Sequence, residues 1–265
     1  EWKLSVSGLG LAQSTQRNIY SEFRTMLNYA VKTEYLPRNP LLTVGNFKSK
    51  DFTPSKDKLH YYTPEEFLRY KAAAHQLAES QGTLSEYGFY VFFNLAYYMG
   101  MRKGEINALR WSDIEGNVLT VRRSLAQKLK GQKAVETLPK NRTSYRSIEI
   151  PQPLMEILSE YKKRLEERGA FGDDFRVCGG GKDGYLSDTS IENHNKRYAD
   201  AAGLTHIRIH DFRHSHASLL ANEGINIQEI ARRLGHANIE MTWNTYSHLY
   251  PRENERSLAI LNKVV

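Results

Sequence analysis

The longest apolar stretch, Tyr87 to Met101, limits the folds open to this chain. It is too short to span a bilayer, and it contains Asn94 and several tyrosines. Such a segment reads as a helix buried inside a protein core, so other elements must wrap it. With 265 residues, 40% of them hydrophobic, there is material for one large domain or two smaller ones.

A break in periodicity divides the chain. From Ser14 to Lys32 the apolar positions Ile19, Phe23, Met26, Leu27, Ala30 and Val31 fall at helical spacing. Ser14 or Thr15 is the expected N-cap, and the Pro37 to Pro40 segment the expected stop. Residues 45–61 then lose all pattern and carry Lys48, Lys50, Lys56 and Lys58 with Pro54, which reads as a basic linker. Thr63, Pro64 and Glu66 supply the cap, first-turn proline and capping-box acid of a new helix, which opens a second domain over 62–265.

In that domain helices are expected at 64–79, 86–99 and from Lys103 to Trp111. Short strands are expected at Val118–Arg123 and Arg146–Ile150, with a polar, basic excursion between them. Leu154, Ile157, Leu158, Tyr161 and Leu165 mark another helix, and a glycine-rich turn at Gly179–Gly184 precedes three more, at 188–202, 210–221 and 227–234. The expected fold class is mainly α with a small antiparallel β-sheet.

The net charge of +7 favours a polyanionic partner, although a merely basic protein would look the same. The single cysteine, Cys178, excludes an internal disulfide framework and fits a reducing cytosol. Glu1 is not a start methionine and no signal peptide follows, so the sequence reads as a fragment with no membrane partner.

Five segments carry chemistry: Met99 to Glu105, Pro139 to Ser144, His210 to His214, Leu234-Gly235-His236 and Thr245 to His248. Phosphodiester transfer without a metal needs cations waiting where charge builds on the phosphate oxygens. Arginine suits this, since its planar fork of donors matches phosphate geometry, and Arg102 and Arg213 would form the clamp. His210 and Arg213 are three apart, so one helical face presents both. Tyr246 is the candidate nucleophile. A free phenol titrates near ~10, and nearby cations with a histidine acceptor ease its ionisation. Lys140, on a loop, can protonate the departing 5′ oxygen, and His236 can add a hydrogen bond to the phosphate.

Arg102, Lys140, His210, Arg213, His236 and Tyr246 resemble, in order, the catalytic set of the tyrosine recombinases. Gly100-Met101-Arg102 with Glu105 resembles the family's first arginine box, and His210-Asp211-Phe212-Arg213-His214 its second. The likeness runs from about residue 60 to the end, and the helix ending at Asn39-Pro40 resembles the last part of the family's core-binding domain, assigned here to residues 1–44. The wording around Tyr246 is closest to integrases of phages and conjugative transposons.

That resemblance implies a recombinase fold and a site-specific integrase that cuts and rejoins duplex DNA through a 3′-phosphotyrosine. It implies no metal, ATP or other cofactor, and a homo-tetramer on DNA. It further implies DNA contacts from the four linker lysines, a tail after Tyr246 that docks on a neighbouring subunit, and a bacterial cytoplasm as the workplace. An excisionase or a DNA-bending protein would be the accessory partner.

Plainer readings stand beside these. Taken singly, Arg102 reads as a salt-bridge partner, Lys140 as a solvated loop residue and Tyr246 as one of 16 tyrosines. Only the ordered set outweighs that. His214 and His216 read as structural histidines bracing their helix, and Glu105 as a residue that orients Arg102 or caps its helix. His210-Asp211-x-x-His214 mimics a zinc-protease pattern, but an arginine sits inside it and no third ligand is evident. Ile227 to Ala231 before Leu234-Gly235 resembles the first helix of a helix-turn-helix, which would make a non-catalytic DNA-binding module. A type IB topoisomerase shares the chemistry and is the nearest alternative enzyme.

Overall fold

The computed structural model describes residues 1–47, 59–126, 134–137, 142–250 and 261–262. The chain divides into two compact units, Glu1–Asp57 and Lys58–Val265.

The first unit holds α1 (Trp2–Gly8), α2 (Gln13–Lys32) and α3 (Leu41–Val44). Val6, Tyr20, Leu41 and Phe47 form its small core, with Trp2, Ile19, Phe23 and Leu27 packed against them. The Tyr20 hydroxyl donates to the Leu41 carbonyl at 2.9 Å, which ties α2 to α3. Helix α2 covers the expected stretch, but other groups than expected set its two ends. Its N-cap is Ala12, so Ser14 and Thr15 lie inside the first turn and cap nothing. At the other end Glu34 adopts φ 62°, and the N–H groups of Tyr35 and Leu36 return to the Ala30 carbonyl. The helix is therefore closed before Pro37 is reached.

The second unit is built around α5 (Leu84–Met99), which packs on α4 (Pro64–Gln81), α7 (Gln152–Glu167) and α9 (Ile209–Asn222). Helices on several sides explain why its sequence is apolar almost throughout, since no face needs to meet water. Phe67 stacks on Tyr97 at 3.5 Å, and Tyr70, Phe93, Tyr198 and Phe212 interlock edge to face behind them. At the start of α4, Thr63 and Glu66 bond to each other's backbone N–H, as the sequence predicts.

Between α6 (Lys103–Ala108) and α7 lies the sheet. Strands β1 (Ile114–Glu115), β2 (Val118–Val121) and β5 (Arg146–Glu149) pair antiparallel in the order β1-β2-β5. Leu119 and Val121 face the core and pair with Ile148 and Arg146. The excursion between β2 and β5 contains a second antiparallel ribbon, β3 (Ser124–Ala126) with β4 (Val135–Thr137). Its strands are three residues each, too short to show a periodic signature.

Helices α8 (Asp188–Ala201), α10 (Ile227–Leu234) and α11 (Ile239–Tyr246) complete the unit. Ile230 and Leu234 of α10 join Ala217, Ala221 and Tyr246 in a second small cluster, so α10 spends its apolar face on packing against α9 and α11. Among the described residues no helix is long and apolar enough to cross a membrane.

Candidate active site

Helix α5 ends at Gly100, which takes φ 60° as a left-handed cap. A Cβ there would sit 2.7 Å from the His216 ring and 3.0 Å from Leu234, so only glycine lets α9 and α10 close on this turn. The Gly100 carbonyl accepts from Arg213 Nη1 at 2.7 Å, and the Leu234 carbonyl accepts from Nη2 at 2.7 Å. One guanidinium on α9 thus joins the first arginine segment to the Leu234-Gly235-His236 segment. Arg213 is 2% exposed, and burial together with neighbouring Arg102 pulls its pKa below the usual arginine range.

Arg102 caps α6 from the other side of the turn. Its backbone N–H donates to Glu105 Oε2 at 2.9 Å and its Nη1 to Glu105 Oε1 at 3.0 Å. Glu105 therefore does both jobs expected of it. Its main partner, however, is Arg146 on β5, which forks onto both carboxylate oxygens at 3.1 and 2.8 Å. Burial alone would raise the Glu105 pKa, but the bonds and charge of Arg146, then Arg102, overrule it and hold the carboxyl at about 2. Arg146 also donates to the Arg233 carbonyl at 2.7 Å. Gly104 allows the ribbon to approach, because a Cβ there would meet the Leu125 carbonyl oxygen at 2.6 Å.

His210 lies one turn before Arg213 on α9; burial, then Arg213, lowers its pKa. His236 bonds through Nδ1 to Thr242 Oγ1 at 2.7 Å, and burial with the charges of Arg213, Arg102 and Arg146 pushes it down to about 4. Tyr246, at the end of α11, is 2% exposed. Burial drives its pKa up to about 12 even though Arg213 pulls the other way.

The fold thus brings Arg102, His210, Arg213, His236 and Tyr246 into one electrostatic neighbourhood around Arg213. Lys140, the remaining member of the ordered set, lies outside the described residues, as do the linker lysines Lys48, Lys50, Lys56 and Lys58.

Two site residues escaped sequence reasoning. Arg146 carries no local signal, because a strand arginine is ordinarily solvated. His214, read as a brace, instead contacts the candidate nucleophile: its Nδ1 lies 2.6 Å from the Tyr246 hydroxyl oxygen. The i, i+4 spacing from His210 was the available clue. His216 does brace the framework, donating from Nδ1 to the Tyr97 carbonyl at 2.9 Å.

The zinc-protease pattern does not assemble. Asp211 is engaged by the Arg208 backbone and guanidinium, and His214 by Tyr246. Among the described residues the group spaced to hold an ion is His75, Glu79 and Glu160, and Arg164 Nη2 already lies 2.7 Å from both carboxylates.

The architecture is shared with solved tyrosine-recombinase structures. A Tn1549 transposon integrase in complex with circular intermediate DNA matches with a TM-score of 0.69 at 18% identity, over 100% of this chain and 83% of that one. XerH bound to a palindromic difH substrate matches at 0.70 and 20%, over 98% and 71%. The chain belongs to the phage integrase family, whose model matches residues 66–253. The ICEBs1 integrase of Bacillus subtilis is 32% identical over 258 residues, covering 93% of this chain and 64% of the relative. A XerC-like tyrosine recombinase of Caldanaerobacter subterraneus is 28% identical over 96% of this chain and 67% of its own length. The chain therefore spans about two thirds of the length of these two relatives.

Proposed function

We propose that this chain is the core of a site-specific DNA recombinase that cuts and rejoins DNA through a 3′-phosphotyrosyl link to Tyr246. Arg102 and Arg213 hold the scissile phosphate, where each fork offsets charge that develops on the non-bridging oxygens. His210 and His236 add hydrogen bonds, and Lys140 protonates the departing 5′ oxygen. The covalent ester conserves the bond energy for rejoining, so neither metal nor ATP is required.

The observation that carries this reading is the position of Arg213: bonded to Gly100 and Leu234, and next to Tyr246. The placement of relatives among conjugative elements, transposons and prophages supports integration or excision of a mobile element as the task. On the same reading the first unit is the C-terminal part of a core-binding domain. Lys48, Lys50, Lys56 and Lys58 contribute charge that binds DNA phosphates, and four copies synapse two duplexes in the bacterial nucleoid, aided by an excisionase or a DNA-bending protein.

A nicked suicide duplex bearing the element's own end sequence tests it. The wild-type chain should be trapped covalently, and Tyr246→Phe should bind the duplex without being trapped. A covalent adduct in the Tyr246→Phe protein would overturn the assignment.

A further inference from the structure

We propose that His214 holds the Tyr246 hydroxyl in the uncut enzyme and takes its proton as that oxygen attacks the DNA phosphate. This rests on the recombinase reading and adds a catalytic residue outside the ordered set of six. The observation is the 2.6 Å contact between His214 Nδ1 and the phenol oxygen. Tyr246 is 2% exposed, so a protein group at its hydroxyl is better placed than bulk water to take the proton. His210, the other histidine on that face of α9, sits edge-on to the His214 ring at 5.0 Å, and it is the His214 ring that packs against the phenol, at 5.8 Å between centroids.

The polarity of the contact follows from its surroundings. His214 faces His210, Asp211 and Arg213 on its own helix, Arg208 at the helix start, and Tyr246 from α11. Burial and this mostly cationic setting disfavour an imidazolium, and the pKa falls to about 4. A neutral imidazole carries one unprotonated nitrogen, and the phenol is the natural donor to it. His214 Nδ1 is then the acceptor and its Nε2 carries the hydrogen.

A bound phosphate changes that balance. Its negative charge offsets the two arginines, and an imidazolium becomes tolerable at the moment it must form. In the cleavage step the Tyr246 O–H bond breaks and an N–H bond forms on His214. The phenol oxygen bonds to phosphorus, the bond from phosphorus to the 5′ oxygen breaks, and that oxygen receives the proton of the general acid. Rejoining reverses each transfer, and His214 returns the proton to the phenol.

Two measurements decide it. In the DNA-free wild-type protein, nitrogen-15 NMR of His214 should show an unprotonated Nδ1 whose resonance moves in Tyr246→Phe. A protonated Nδ1 would mean that the imidazole donates, and the proposal falls. The second uses a suicide duplex of the element's end sequence with a 5′-bridging phosphorothiolate at the scissile bond, whose sulfur leaves without a proton. His214→Ala should form the Tyr246 adduct about 100-fold more slowly than wild type. His214→Asn places an amide oxygen where Nδ1 was, restoring the hydrogen bond but not the basicity. It should stay slow and lose the decline in rate that the wild type shows as pH drops. Wild-type rates in His214→Ala, or rescue by His214→Asn, would overturn the proposal while leaving the recombinase reading intact. No Tyr246 adduct in the wild type would overturn both.

Discussion

Arg213 and Tyr246 are both 2% exposed, yet they are held in different ways. Arg213 sits on α9, packed on the central helix α5, and bonds two main-chain carbonyls from different parts of the chain. Behind it, Arg146 and Glu105 form an ion pair with side chains 4% and 5% exposed. Tyr246 sits on an eight-residue helix that packs on a small apolar cluster and meets other elements through two side-chain contacts, Tyr246 with His214 and Thr242 with His236. On the same helix Ile239, Met241 and Trp243 are exposed. The Arg213 guanidinium is fixed by the core, so on the proposed reading its charge is in place before a phosphate binds, as preorganised electrostatics require. On the proposed reading the nucleophile instead rides on a short helix at the edge of the core, with three apolar side chains facing solvent.

Mutations and pH can break or sharpen this contrast. The largest effect is expected at Glu105, because Glu105→Ala leaves Arg146 charged, buried and unpaired. Thermal or denaturant unfolding should show a loss of about 3–5 kcal/mol, and a loss under about 1 kcal/mol would mean that water reaches Arg146. Gly100→Ala forces an L-residue to φ 60° and drives its Cβ toward the His216 ring. A cost of about 2–3 kcal/mol is expected on unfolding, and a neutral result would show that α9 and α10 give way easily.

A smaller effect comes from pH. Burial, with Arg233 adding to it, pushes His216 down to about 3, while an unfolded imidazole titrates near 6.5. The unfolded chain therefore gains protons first as pH falls through about 6.5, and the folded state loses stability. At pH 5.5 His216 alone accounts for about 1.4 kcal/mol, or about 3 °C in Tm. His214 and His236, both lowered to about 4 mainly by burial, act in the same direction. A Tm unchanged between pH 7 and 5.5 would contradict the burial of these rings. The smallest effect is expected on the Tyr246 helix itself, where Trp243→Ser should alter stability by no more than about 0.5 kcal/mol. A large loss there would erase the contrast.

Much of the frame was legible in the residues. The Thr63-Pro64-Glu66 start, the buried α5, and the His210/Arg213 pair on one face all rest on local spacing, and local spacing survives folding. The α11 helix was not legible, since with Ile239, Met241 and Trp243 turned outward its apolar residues mark no buried stripe. The β3–β4 ribbon was hidden for a related reason: all three residues of β4 are exposed. Arg146 looked like any strand residue, and His214 like a spare histidine.

By itself the sequence determined which groups are available and in what order: two arginines, two histidines, a lysine and a tyrosine in characteristic local settings. Tertiary structure alone decided that Arg213 reaches across to Gly100 and Leu234, that Arg146 takes the Glu105 carboxylate, and that His214 rather than another ring meets the Tyr246 hydroxyl. The division has a physical reason. Caps and helical faces are set within a few residues by backbone geometry, whereas these pairings join residues 21 to 113 positions apart. They form only when packing of the apolar core brings their elements together.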